Sequence, residues 1–274
     1  MPDSLTTADG LLPAERQVLI DDIPLMLVEG GRGDPLLVLH DELGYPGWLA
    51  WNAGLAEHRR LIIPMAPGFG RSPRVDWISS LRDLACFYGR LLREIGLERI
   101  DLLGFSFGGW VAAEMAVNSP GQFGRMMLVA PAGIKPPEGE ILDLFLRSAP
   151  EYLRASICEP ANCAEYLKLY GDAPAQDQIE QWEDARAQVA RLAWSPYMHN
   201  PSLPSLMRGA RSVQTLLVWG TRDAVVPASA ARRYQESIPD AELVLLQECG
   251  HRPEIERTGD FVNIIRKFLS TSKI

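Results

Sequence analysis

The stretch Gly104-Phe105-Ser106-Phe107-Gly108-Gly109 decides the fold of this chain, because it holds a G-x-S-x-G motif in the setting that the motif requires. The preceding residues, 100–103, favour a short buried strand, and the following residues, 110–116, favour a helix. A strand, a sharp turn with serine at its tip and a helix together form a nucleophile elbow, in which small residues let strand and helix pass closely. The alternative is a glycine-rich turn with an incidental serine, and the flanking elements favour the elbow.

The composition bounds the class of protein. The chain has 274 residues, 47% of them hydrophobic, which suffices for one large domain or a domain with an insertion. A net charge of -8 and a pI near 5.1 argue against a nucleic-acid partner. No apolar run approaches the roughly 18 residues of a membrane span, and residues 1–7 lack the features of a signal peptide. The four cysteines form no disulfide framework or zinc spacing, so we expect a cytoplasmic protein.

Strand-like and helix-like stretches alternate along the chain, which predicts an α/β fold with a doubly wound, mostly parallel sheet. Each predicted strand buried on both faces is a short apolar run: 36–39, 61–63, 100–103, 126–129, 216–218 and 243–246. Residues 17–31 predict an antiparallel edge hairpin centred on Asp21-Asp22. An amphipathic helix is predicted from a cap at Ser79 or Ser80 to Gly96, and a last helix from Asp260.

One long segment breaks this alternation. Residues 135–209 contain no strand-like run, only helical patterns that carry aromatic residues. A crossover between parallel strands needs only a dozen or so residues, so ordinary crossover helices explain the segment less well than an inserted lid. We therefore predict a core of residues 1–134 and 210–274 with a helical cap, or lid, over residues 135–209.

At this point the chain resembles the α/β-hydrolase superfamily over nearly its whole length. The resemblance rests on five motifs in the order of that fold, each after a predicted strand: His40 with Gly44, residues 67–72 (Pro-Gly-Phe-Gly-Arg-Ser), the elbow at Ser106, residues 219–223 (Trp-Gly-Thr-Arg-Asp), and residues 249–251 (Cys-Gly-His). The order of serine, acid and histidine is the one that this fold imposes.

The resemblance implies a catalytic triad of Ser106, His251 and Asp223. A serine hydroxyl near pH 7 is a poor nucleophile and needs a base within hydrogen-bond reach. His251 lies where this fold places its base, and Asp223 would hold the histidine tautomer and stabilise the imidazolium. Some relatives carry the acid after the strand at 126–129, but residues 131–133 are Pro-Ala-Gly, which supports Asp223.

The resemblance also implies an oxyanion hole, built from the backbone amide of Phe107 and one from the loop after residue 39. Glu42 is our first choice for the second amide and Asp41 the second choice. The family's usual His-Gly pair is His40-Asp41 here, followed by Glu42. Two carboxylates beside an oxyanion hole would oppose negative charge if they pointed inward. Either they face solvent and only their amides act, or the loop has a specialised role.

The substrate class follows less directly. A serine at the elbow excludes the branches that use aspartate there, namely dehalogenases and epoxide hydrolases. The cap resembles that of carbon–carbon-bond hydrolases acting on aromatic ring-cleavage products, but these typically have asparagine before the serine and tryptophan after the histidine, where this chain has Phe105 and Arg252. We therefore favour a small carboxylic ester with an apolar or aromatic portion, with C–C cleavage as the alternative. Amides, lactones, thioesters and carbamates stay open.

The predicted substrate-binding residues are mostly aromatic: His40, Phe105, Trp182, Trp194 and Tyr197. Simple core packing explains any one aromatic residue near the elbow equally well. We expect a small-molecule substrate and no metal, cofactor, nucleic acid or membrane partner, and a homodimer is left open. A hypothesis from a different class is a ligand receptor that retains the hydrolase fold, since fold alone does not establish function.

Overall fold

A computed structural model describes residues 12–171 and 174–271, with an eight-stranded sheet at the centre. Residues 1–7, which the signal-peptide prediction concerns, lie outside these ranges. The strands are β1 (Ala14–Ile20), β2 (Ile23–Gly30), β3 (Asp34–Leu39), β4 (Arg59–Pro64), β5 (Ile100–Phe105), β6 (Phe123–Val129), β7 (Gln214–Gly220) and β8 (Glu242–Leu246). Their order across the sheet is β1-β2-β4-β3-β5-β6-β7-β8.

The sheet is antiparallel at one edge and parallel elsewhere, as predicted. β1 and β2 form a hairpin whose turn residues, Asp21 and Asp22, both have positive φ (45° and 65°), as a tight two-residue hairpin turn requires. β2 also pairs antiparallel with β4, and all the other pairs are parallel. Each of the six predicted runs is a strand. Burial on both faces is wrong for β8, which is the last strand of the sheet and leaves Leu245 40% exposed.

Helices cover the sheet, and all of them end within the described ranges. They are α1 (Ala50–Ala56), α2 (Leu81–Glu94), α3 (Ser106–Asn118), α4 (Ala149–Ala155), α5 (Ala164–Tyr170), α6 (Gln176–Ala193), α7 (Leu203–Leu206), α8 (Ser229–Ser237), α9 (Pro253–Glu256) and α10 (Thr258–Ser270). Ser80 caps α2 by accepting a hydrogen bond from the Asp83 amide at 3.2 Å. The predicted start of the last helix is wrong by two residues, because α10 begins at Thr258 and Asp260 instead accepts from Arg257 at 3.1 Å.

The segment between β6 and β7 is helical. α4, α5, α6 and α7 all lie in it. Apart from one pairing of Gly133 with His199, its described residues form no strand. Residues 135–209 are called the cap segment below, and their status as a separate domain stays a prediction. None of the helices in the described ranges has the length and apolar character that crossing a membrane requires.

The carboxyl ends of the parallel strands bring the candidate residues to one edge of the sheet, where α/β folds place their ligands. Two glycines permit close approaches there. A Cβ atom on Gly108 would lie 2.3 Å from the carbonyl oxygen of His40, so the loop after β3 rests directly on the start of α3. A Cβ atom on Gly220 would lie 2.0 Å from the carbonyl oxygen of Gly250, so the loop before His251 touches the end of β7.

Candidate active site

Ser106 occupies the turn between β5 and α3 in the strained conformation expected of an elbow. Its φ is +46°, in the left-handed region that non-glycine residues rarely adopt. The residue is 3% exposed, and its Oγ makes no hydrogen bond in the described structure. Because α3 begins at Ser106, the amide of Phe107 lies in the first helical turn, where backbone N–H groups have no partner within the helix.

Asp223 and His251 form a buried hydrogen-bonded pair. Nδ1 of His251 lies 2.8 Å from Oδ2 of Asp223. The other carboxylate oxygen, Oδ1, accepts the amides of Val225 and Val226 at 2.8 and 2.9 Å, which fixes the carboxylate in the turn after β7. Since Nδ1 faces the acid, Nε2 is the ring nitrogen left for a reacting group, and it is buried with no hydrogen-bond partner.

The pKa of His251 is shifted upward. Burial alone lowers this pKa, but the charge of Asp223, its hydrogen bond and the charge of Glu42 outweigh burial and raise the pKa above its ordinary value. A carboxylate beside an imidazole stabilises the imidazolium, which is the form that a base assumes after taking a proton.

The carboxylates of Asp41 and Glu42 point inward, which answers the question that the sequence left open. Both residues are buried, and both face the buried guanidinium of Arg252. Nη1 of Arg252 donates a hydrogen bond to Oδ2 of Asp41, and Nη2 lies 3.6 Å from Oε1 of Glu42. The unusual acids of the oxyanion loop and the unusual arginine after the histidine therefore form one ion cluster.

The two acids of this cluster have pKa values shifted in opposite directions. Burial raises the pKa of Asp41, and the like charge of Glu42 adds to this against the lowering effect of Arg252. Burial also disfavours the charged form of Glu42, but the charges of His251 and Arg252 and the hydroxyl of Ser106 together bring its pKa below the ordinary value. Glu42 is therefore the ionised neighbour of the elbow serine.

The cap segment contacts this cluster through α4, a link that the sequence reasoning missed. Tyr152 Oη donates to Oε1 of Glu42 at 2.9 Å. The carbonyl oxygen of Ser156 accepts the His251 amide at 2.8 Å, and Ser156 Oγ accepts Nε of Arg252 at 3.0 Å. These partners lie about a hundred residues apart, so local patterns give no signal for them. The buried charges in the 41–42 loop did indicate that opposite charge or donors must lie nearby.

His40 supports the loop rather than presenting a free nitrogen. Its Nδ1 lies 2.7 Å from the carbonyl oxygen of Asp41, and its Nε2 accepts the amide of Ala66 at 3.1 Å. Burial lowers the pKa of His40, against the raising effects of Asp41 and Glu42. Both nitrogens are thus engaged in the neutral ring, so direct binding of substrate by His40 is a prediction that this geometry does not favour.

The predicted aromatic residues are spread over several places. Phe105 packs in the core against Trp51, with ring centroids 5.0 Å apart, and also lines a cavity of about 20 Å³ with His40, Asp41, Tyr45 and Glu254. In the cap segment, Trp182 packs on Tyr170 at 5.8 Å. Trp194, which is 57% exposed, packs on Phe145 at 5.3 Å and on Tyr197 at 6.2 Å. Tyr197 Oη bonds backbone atoms of Leu142 and Leu144. Their roles in substrate binding stay predictions.

The described residues contain no group of three or more histidine, cysteine, aspartate or glutamate side chains arranged to hold a metal ion. The site that the structure assembles is therefore one of side chains and backbone amides: Ser106 Oγ, the Asp223–His251 pair, the Phe107 amide and the Glu42–Arg252 cluster. Such an arrangement offers a nucleophile, a proton acceptor and hydrogen-bond donors for a developing oxyanion.

Comparison with known proteins agrees with this arrangement. Residues 16–264 match the model described as "Alpha/beta hydrolase family". The chain is 27% identical over 269 residues to the 2-hydroxymuconate semialdehyde hydrolase of Pseudomonas sp. (strain CF600), covering 93% of each chain. It is 27% identical over 272 residues to the 2-hydroxy-6-oxo-6-phenylhexa-2,4-dienoate hydrolase of Comamonas testosteroni, covering 91% of this chain and 92% of that one. A solved structure of a bacterial membrane phospholipase A superposes with a TM-score of 0.80 at 25% identity, covering 94% of this chain and 86% of that chain.

Proposed function

The chain belongs to the alpha/beta hydrolase family, and we propose that it is a serine hydrolase acting on a small carboxylic ester with an apolar or aromatic portion. In the proposed reaction, Ser106 attacks the ester carbonyl while His251 takes its proton. His251 then protonates the leaving alcohol, which leaves an acyl group on Ser106. Water attacks that acyl-enzyme with His251 again as the base, and the acid product leaves.

The observation that carries this proposal is the 2.8 Å pair of His251 Nδ1 and Asp223 Oδ2 at the same sheet edge as Ser106. The pair fixes the imidazole with Nε2 available, while the positive φ of Ser106 presents its hydroxyl at the tip of the elbow. Ser106 Oγ and His251 Nε2 both lack a hydrogen-bond partner. In enzymes without bound substrate, such bonds are often long or poorly aligned and tighten in the substrate complex.

The proposed oxyanion hole uses the amides of Phe107 and Glu42, with that of Asp41 as the second choice. Donors preorganised for a developing negative charge typically contribute about 10²–10³ in rate each. The nearby carboxylates of Asp41 and Glu42 would oppose that charge, but Arg252 lies against both and offsets part of their field.

Carbon–carbon bond cleavage is the second candidate, and the two relatives that are 27% identical favour it by their names. Against it stand Phe105 and Arg252, which differ from the residues typical of that group. In addition, a dienoate substrate carries a carboxylate, and the acidic residues beside Ser106 would repel it. An ester is therefore the better fit to the side chains present.

A panel of esters, amides, thioesters and a dienoate ring-cleavage product tests the proposal, with Ser106→Ala as the control. A fluorophosphonate probe with peptide mapping should label Ser106, and Ser106→Ala should lose several orders of magnitude in kcat. Labelling at another residue, or an active Ser106→Ala enzyme, would overturn it. Binding without multiple turnovers would favour a ligand receptor instead. A preference for the dienoate would favour C–C cleavage.

We also propose a cytoplasmic location. All four cysteines are free thiols, with Cys86 exposed and Cys249 buried. Reducing compartments keep thiols in this state.

A further inference from the structure

Glu42 presents a buried, charged oxygen that has no donor. Its side chain is fully buried, and Oε1 is engaged by Tyr152 and Arg252, whereas Oε2 makes no hydrogen bond. Leaving a buried charged acceptor unpaired is costly, so native structures seldom keep one without a use. The Ser106 hydroxyl is the nearest reacting group, close enough to lower the pKa of Glu42.

The surroundings of Glu42 are acidic in balance. Asp41, Glu42, Asp223 and Glu254 are buried carboxyl groups around one guanidinium, Arg252, and one imidazole, His251. Arg252 is already occupied by Asp41, Ser156 and Glu42, and His251 by Asp223. An additional anion entering the site would meet uncompensated negative charge, whereas a cation or a neutral donor would find an acceptor in place.

We propose that Glu42 selects substrates that carry a hydrogen-bond donor, above all an ammonium group, within two bonds of the scissile carbonyl. The inference rests on the proposed serine hydrolase function and names the substrate class for that same site. The acceptor is Oε2 of Glu42, which Tyr152 and Arg252 hold by the other carboxylate oxygen. A carboxylate at the same position of the substrate is rejected by like charge.

An isosteric series of methyl esters tests this on the acyl side. Methyl alaninate, methyl lactate, methyl isobutyrate and monomethyl methylmalonate differ only in the group next to the carbonyl: ammonium, hydroxyl, methyl or carboxylate. We expect kcat/KM for the alaninate to exceed that for the isobutyrate by about 10- to 100-fold, the size of a charge-assisted hydrogen bond. The lactate should fall between them and the methylmalonate should be slowest. On the alcohol side, 2-hydroxyethyl acetate is compared with propyl acetate.

The matched variants are Glu42→Gln and Glu114→Gln. The first removes the charge at Oε2 with little change of shape, and should bring the alaninate-to-isobutyrate ratio to within about threefold. Glu114 is a second buried carboxylate, held by Trp110 and Asn200, so Glu114→Gln controls for loss of a buried charge and should keep the parent ratio. Fluorophosphonate labelling of Ser106 shows that each variant is folded.

The outcomes separate this inference from the proposed function. If Ser106 is labelled and the isobutyrate is turned over, but neither donor series is preferred, the inference is wrong and the serine hydrolase stands. The same holds if Glu42→Gln keeps the preference. If Ser106 is not labelled and no ester is turned over, the proposed function fails and this inference fails with it. The wild-type ranking decides the matter even if Glu42→Gln does not fold.

Discussion

Arg252 and Asp41 are 211 positions apart in the chain, yet their side chains form one buried ion pair. The sequence marks each of them as a departure from the family pattern, but no local pattern links two charges so far apart. Once the fold brings both loops to one sheet edge, each explains the other. Removing Arg252 alone would leave two carboxylates buried without it, at a cost of about 3–5 kcal/mol.

The pH dependence of kcat/KM should report the raised pKa of His251. A general base acts in its neutral form, so activity should fall as the pH drops below this pKa, with the acid limb above the ordinary histidine value of about 6.5. Since the charge of Glu42 is one of the causes that raise the pKa, Glu42→Gln should move the limb to lower pH. A limb that moves upward, or does not move, would contradict the contact between Glu42 and His251.

Asp223→Asn should keep the fold and lose most of the activity. The amides of Val225 and Val226 can still donate to the asparagine oxygen, but the amide group would favour the wrong histidine tautomer. The expected loss in kcat is about 10⁴-fold. The measurement is kcat beside a thermal unfolding curve, which separates chemistry from stability. An Asp223→Asn enzyme with near-normal rates would mean that another residue serves as the acid.

At the scale of elements, α4 joins the cap segment to the loops of the core. The helical nature of residues 135–209 could be predicted from the lack of strand-like runs. Which helix touches the site could not, because Tyr152 and Ser156 have no distinctive neighbours in sequence. Their partners, Glu42 and His251, are known only once the chain is folded.

Aromatic residues of the cap segment should influence which substrates are accepted. We expect alanine substitutions at Trp182, Trp194 and Tyr197 to change the ranking of esters in a varied panel more than the maximal rate, because binding surface away from the reacting atoms positions the substrate. Trp77→Ala removes a half-exposed tryptophan outside the cap segment and is the matched control. If every cap variant keeps the parent ranking with unchanged KM, the pocket lies in the core loops.

At the scale of the whole molecule, the sheet was the most predictable feature. The apolar runs within β3, β4, β5, β6 and β7 read directly as buried strands, because each has neighbours on both sides. β8 shows the limit of this reasoning, since its run Leu243 to Leu246 is as apolar as the others. Its place at the edge depends on the order of strands, which short runs do not encode.

Stability should depend on pH through Glu254. Burial raises its pKa to about 7, against the lowering effect of Arg252. The folded state therefore binds a proton more tightly than the unfolded state, whose glutamate titrates near 4.3. This stabilisation is complete below that value and is lost as the pH rises through about 7.

Glu254→Gln should remove that loss. Relative to wild type, the variant should gain unfolding free energy between pH 5 and pH 8, by on the order of 1–3 kcal/mol. Urea unfolding at the two pH values measures this difference, in which the pH dependence of other groups cancels. An equal difference at both pH values would show that Glu254 does not hold the proton in the folded state.

The hydrogen bond from the His251 amide to the carbonyl oxygen of Ser156 makes one backbone proton a reporter of attachment between α4 and the core. While the two remain in contact, this proton is shielded from solvent deuterium, and it exchanges when they separate. In mass-spectrometric exchange, peptides spanning residues 249–252 should exchange more slowly in wild type than in Tyr152→Phe, which loses the bond to Glu42. Equal rates would mean that α4 detaches independently of that bond. The exchange rate thus measures how often the molecule opens, without any substrate being present.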